Sequence, residues 1–230
     1  MLHLRNRLLR ASRPLRHAAV TRFSLTRHFS FNGRQYRYLI HPYNETWSNE
    51  RAVEVPIVRG ELDRASGRVL EIGNVLSHYG SVSHSIVDKY EQAPNVVNED
   101  IEAFAGGPYE LIVTISTLEH VGWNRREARR PERLLAVLEH IRSLLLPTGR
   151  MVATVPIGYN RWLDERLRDD DLPWRRQFLR RISRREWREA AAAEVSTAQY
   201  GAPYPRANAI AVLTMDGSPG CRRPIAPGRH

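Results

Sequence analysis

Four short apolar runs in the middle of the chain each stop abruptly at polar residues, and this punctuation constrains the fold more than any other feature. Arg68–Ile72 (RVLEI) carries Glu71 and runs into Gly73-Asn74. Ser85–Val87 ends at Asp88, Asn95–Val97 is followed by Glu99-Asp100-Ile101, and Glu110–Ser116 (ELIVTIS) leads into Thr117-Leu118-Glu119-His120. Runs this short, rich in β-branched residues, read as strands buried on both faces.

Further along, Pro131 opens a helix whose buried stripe is Leu134, Leu138, Ile141 and Leu145, and Pro147 stops it. Gly149 turns the chain into another strand, Arg150–Val155, and Ala209–Leu213 is a last one. Strands alternating with helices predict an α/β fold, a mostly parallel sheet covered on both faces. In such sheets ligands bind beyond the carboxyl ends of the strands, where the polar residues cluster here.

Each strand end suits a cofactor of nucleotide type. Gly73 lets the backbone turn tightly without a Cβ in the way. Asp88 stands 17 residues after Glu71, where an acid can accept hydrogen bonds from ribose hydroxyls. Asp100 beside Ile101 offers a polar acceptor and an apolar surface for an adenine ring. Ser116-Thr117 and Glu119-His120 bring hydroxyls, an acid and an imidazole to the same edge. His120 is the first candidate for a general base and His78 the second. The bland readings are that Glu71 caps a helix following its strand, that Asp88 pairs with Lys89 or an arginine, and that His120 satisfies loop backbone.

The net charge of +10 belongs to one end of the chain. Residues 1–44 hold nine arginines and no acid, which leaves +1 for the remainder. Lys89 is the sole lysine among 35 basic residues, a bias that fits a GC-rich genome. A body so near neutral gives no sign of a nucleic-acid face. Cys221 is the single cysteine, which excludes an intrachain disulfide and a cysteine-based zinc site. No metal site is expected. The acidic run Asp169–Asp171 reads as a solvated helix end rather than a cation site, and the tryptophans as packing residues.

Residues 1–30 read as a basic, poorly ordered arm. Its leucine stripe also allows weak contact with a membrane surface, and its composition resembles an organelle transit peptide. Residues 31–216 are expected to form a single domain, with 217–230 a disordered tail. No run is long and apolar enough for an ordinary spanning helix, and a cytoplasmic location is expected. The oligomeric state is not legible.

RVLEIG, IVDKYE, NEDI, ELIVTISTLEHVGW and LLPTGRMVATVPIGYN, in that order, resemble the successive motifs of class I S-adenosylmethionine-dependent methyltransferases. Within that class they resemble the type 11 small-molecule enzymes and a bacterial subgroup tied to glycan or polysaccharide biosynthesis. The likeness covers roughly residues 68–160, and STLEHVGW is its most specific part. It implies a Rossmann-like three-layer sandwich with a seven-stranded, mostly parallel sheet and one antiparallel edge strand. It implies S-adenosyl-L-methionine as cofactor, held by Glu71, Gly73, Asn74, Asp88, Asp100, Ile101, Ser116, Thr117 and Glu119. Residues 68–156 would form the cofactor half and 156–205, read as irregular and polar, the acceptor-recognition segment, with Tyr159 and Asn160 nearest the cleft. The alternate glycines common in the family's first loop are absent, since Val75 and Ser77 stand there. Either the loop takes another path closed by Gly80, or the cofactor site is lost.

The expected function is methyl transfer to a small-molecule or glycan acceptor, at oxygen. A non-catalytic Rossmann-like scaffold or partner module is the first alternative, and an RNA methyltransferase tethered by the basic arm the second.

Overall fold

A computed structural model describes residues 27–123, 130–169, 172 and 174–218. The basic arm as far as residue 26, the tail from residue 219, and Asp170 and Asp171 of the acidic run lie outside the described residues.

Among the described residues, ten strands form two sheets. A hairpin of β1 (His28–Phe31) and β2 (Arg34–Arg37) stands alone, joined by a turn at Asn32-Gly33. The main sheet contains β3 (Val69–Ile72), β4 (Ser85–Val87), β5 (Val96–Val97), β6 (Tyr109–Ile115), β7 (Leu145–Pro156), β8 (Arg175–Ser183), β9 (Glu186–Ala190) and β10 (Ala209–Asp216). Its order is β5-β4-β3-β6-β7-β10-β8-β9. The first five strands are parallel, and the remaining three close the sheet through antiparallel pairings. The sequence expectation of a mostly parallel Rossmann-like sheet with an antiparallel edge is met, with β9 bringing the count to eight.

Helix α1 (Arg51–Leu62) covers one face. Its Val53, Ile57 and Val58 pack with Phe29 and Phe31 of the hairpin, with Leu111 and Val113 of β6 and with Val152 of β7. Helices α2 (Arg133–Ser143) and α3 (Arg161–Asp169) cover the other. The stripe of α2, namely Leu134, Val137, Leu138 and Ile141, is fully enclosed against Ile112, Met151 and Ala153. Each such side chain contributes about 1.5–3 kcal/mol, enough to hold a helix that is too short to stand alone.

Two departures from the sequence reading matter for the site. No α-helix joins β3 to β4, where a single 3₁₀ turn at Leu76–Tyr79 makes the connection. Residues 156–205 are not irregular throughout, since they contain α3, the β8–β9 hairpin and the short helix α4 (Ala192–Val195). Arginines at most exposed positions of β8 hide its strand period. Of its nine residues only Phe178, Leu179 and Arg181 are buried.

Candidate functional site

The tips of β3, β4 and β6 and the segment after β5 meet around one cleft, with about 660 Å³ of empty space. Gly73, Asp88, Asp100, Ile101, Thr117 and His120 line it, together with Lys89, Tyr90, Glu99 and Arg133. Six of the residues singled out in the sequence therefore face one space.

The rest of the expected site residues stand behind or beside this space. Glu71 is fully buried, and its Oε1 accepts from the amides of Val75 at 2.9 Å and Leu76 at 2.8 Å. Its Oε2 meets His84 Nε2 at 2.8 Å. Asp88 Oδ2 accepts from the Asn74 amide at 2.9 Å, and Oδ1 accepts from the amides of Tyr90 and Glu91 at 2.8 and 2.7 Å. Since Gly73 N donates to Val87 at 2.9 Å, four consecutive amides of the turn after β3 are held. The acids of the two neighbouring strands grip the same loop. Gly73 supplies its one left-handed residue, at φ +85°, and Val75 sits unstrained at φ −115°.

Asn74 turns its side chain to Glu91 and Ser77 rather than into the cleft. Ser116 sits at φ +42°, a costly conformation for a residue with a β-carbon, and its hydroxyl donates to Glu54 Oε1 on α1 at 2.8 Å. Asn160 is buried, donating to the Glu119 carbonyl at 2.9 Å and accepting from the Leu163 amide at 3.2 Å. It ties the loop after β7 to the start of α3. Tyr159 is more than a third exposed and meets the His120 ring edge to face, with centroids 4.9 Å apart, and Tyr200 lies beyond it. His78 stacks against Tyr43 and lies 3.2 Å from Glu91.

Asp100 is held from the cleft side by Arg133 at 2.9 Å and Lys89 at 3.1 Å, while Arg133 also grips both oxygens of Glu102. Burial alone would raise the Asp100 carboxyl, but the Glu102 amide and these two cations hold it below the usual carboxylate range. Sequence reasoning passed over Arg133, although its place at the start of a helix facing the strand tips was a visible sign.

Sequence reasoning also missed a cluster on α1. Glu54 is fully buried and pairs with Arg51, and Glu50 and Glu119 are buried close by. Burial pushes the Glu119 carboxyl well above its ordinary value, with Glu54 and Glu50 acting in the same direction. Burial and the Arg51 charge push His120 down, so that its ring is neutral at neutral pH. An acid at position 54 inside an otherwise apolar helical run was the available signal.

No family model matches the chain, and no curated protein matches it in sequence. Among solved structures it is similar to the N-methyltransferase NodS from Bradyrhizobium japonicum WM9 in complex with S-adenosyl-L-homocysteine, at 13% identity and a TM-score of 0.46, over 74% of this chain and 88% of that one. It is similar to the 1,6-didemethyltoxoflavin-N1-methyltransferase of Burkholderia thailandensis, at 16% identity and a TM-score of 0.41, over 82% and 97% of the two chains. An rRNA methylase from Streptococcus thermophilus matches at 11% identity and a TM-score of 0.42, over 71% and 96%.

Among the described residues no group of histidine, cysteine and acidic side chains could hold a metal ion, and no helix is long and apolar enough to cross a membrane. The chemistry open to the cleft is that of carboxylates, the hydroxyls of Thr117 and Tyr90, two cations and a neutral imidazole.

Proposed function

We propose that the chain is an S-adenosylmethionine-dependent methyltransferase acting on a hydroxyl of a small-molecule or glycan acceptor. What carries the reading is the cleft itself, where an acid from the tip of β4, an acid and an apolar side chain after β5, and a glycine and a hydroxyl across from each other meet in one space. That set fits the cofactor. Asp88 would take the ribose hydroxyls, Asp100 with Ile101 the adenine ring, and Gly73 with Thr117 the methionine portion. Glu71, Asn74 and Ser116 would shape the walls.

Bound S-adenosylmethionine would supply an electrophilic methyl group on a sulfonium. The protein's own part is alignment, exclusion of water and removal of a proton. His120 is neutral and lines the cleft, so it can accept the proton of a hydroxyl. Tyr159, packed on His120, would border the acceptor, and residues 156–205 would recognise it. Residues 31–216 would act as one domain, of which 68–156 hold the cofactor. A glycan acceptor rests on the sequence resemblance alone.

Titration calorimetry with S-adenosylmethionine tests the reading. Saturable binding, lost in Asp88→Ala, supports it. Folded protein that binds no cofactor would overturn it in favour of a non-catalytic scaffold.

A further inference from the structure

Among the described residues, Glu119 is an enclosed carboxyl beside the cleft with no cation matched to it. The residue is 1% exposed, and Oε2 has no hydrogen-bond partner among the described residues. Arg51 is already paired with Glu54, and Glu50 adds a further buried acid. Ionising an isolated carboxyl in such surroundings is costly. The nearest titratable group in the other direction is His120, whose Nε2 lies 3.8 Å from Glu119 Oε1. The same ring lines the cleft.

We infer that Glu119 is a positioning residue acting through His120: carboxyl and imidazole hold one proton between them, and the pair receives the proton that the acceptor gives up. This rests on the hydroxyl-acceptor reading and states how that site manages its proton. In the base form Glu119 is ionised, the Nε2–H of His120 faces it, and Nδ1 keeps its lone pair. The proton leaving the acceptor oxygen binds Nδ1, and the electron pair of the broken O–H bond stays on the oxygen that takes the methyl group. The Nε2 proton passes to Glu119 Oε1, and both groups end neutral.

Closing 3.8 Å to a hydrogen bond takes a movement of about 1 Å, within reach of a ring whose side chain is 48% exposed. Burial pushes the carboxyl up and the imidazole down, which disfavours a carboxylate beside an imidazolium. The groups around the pair are Glu50 just before α1 and Arg51 and Glu54 on it, with Tyr159 and Tyr200 across the ring.

Nitrogen NMR of the ¹⁵N-histidine-labelled full chain, without cofactor or acceptor, tests this directly. The His120 signals are those that vanish in His120→Asn. In the wild type they should titrate in two steps, the upper one moving the proton from Nδ1 to Nε2. In Glu119→Gln the upper step should be lost and the lower one kept. A single step in the wild type overturns the inference whether or not the variant folds, and so does an upper step that survives in folded Glu119→Gln. The measurement does not depend on cofactor binding, so failure of the methyltransferase reading would show in calorimetry alone.

Discussion

Gly73 and Thr117 approach so closely across the cleft that a β-carbon on the glycine would lie 2.4 Å from Thr117 Oγ1 and 3.0 Å from its Cγ2. The glycine also sits at φ +85°, where a side chain is strained even in open space. Gly73→Ala should therefore cost about 2–4 kcal/mol from backbone strain and overpacking together. Adding Thr117→Ala removes the two nearest atoms and should relieve most of the steric part, leaving about 1–2 kcal/mol of backbone cost. Denaturant unfolding of both single variants and the double variant closes the cycle. If the double variant is no more stable than Gly73→Ala, the contact does not set the cost.

Glu71 has three partners in a fully buried position. Glu71→Ala should lose about 3–5 kcal/mol, because it leaves two amides and His84 without their acceptor. Glu71→Gln keeps an oxygen for the amides and should lose about 1–2 kcal/mol. Equal losses for the two variants in urea unfolding would mean that packing, not hydrogen bonding, is what Glu71 provides.

Asp164, on α3, faces the Gly158 amide at 3.1 Å, and burial pushes its carboxyl up to about 6. The folded state then binds a proton more tightly than the unfolded one, whose carboxyl keeps its value of 3.8. Stability from this group is present at low pH and falls as pH rises from about 4 to about 6. Asp164→Asn should thus raise the melting temperature at neutral pH, and the gain should disappear as pH is lowered through that window. A gain independent of pH would point away from the carboxyl.

Arg180 on β8 is directly opposite Arg188 on β9 in the antiparallel register. Arg188 has Glu194 at 2.7 Å. Like charges facing each other across strands oppose the pairing. Arg180→Glu should stabilise the fold by about 0.2–1 kcal/mol, less at high salt. Thermal unfolding at two ionic strengths distinguishes this charge effect from a change in strand propensity, which salt would leave alone.

The parallel strands were legible because their apolar runs are dense in β-branched residues and most of them stop at polar residues. The β8–β9 hairpin was not. Arg181 is buried there with its guanidinium donating to the carbonyls of Ser48, Ser183, Arg184 and Pro205, and no local pattern announces an arginine that points inward. Asp88 and Asp100 could be placed at the cleft because strand ends share one edge of a parallel sheet. The bond from Ser116 to Glu54 joins residues 62 positions apart, and nothing in either segment names the other. The split between residues that line the cleft and residues that brace it also depends on side-chain direction. Glu71 illustrates this, sharing a strand tip with Gly73 yet turning into the core.

The held amides of the β3 turn bear on which ligands the cleft can welcome. Glycine-rich turns that seat a pyrophosphate do so by offering unengaged N–H groups to its oxygens. Here residues 73 through 76 offer none, since each N–H already points at a carbonyl or a carboxylate of the protein. A phosphorylated dinucleotide would meet acceptors where it needs donors. A hydroxyl-bearing ligand without phosphate would find in those acceptors the partners its O–H groups need.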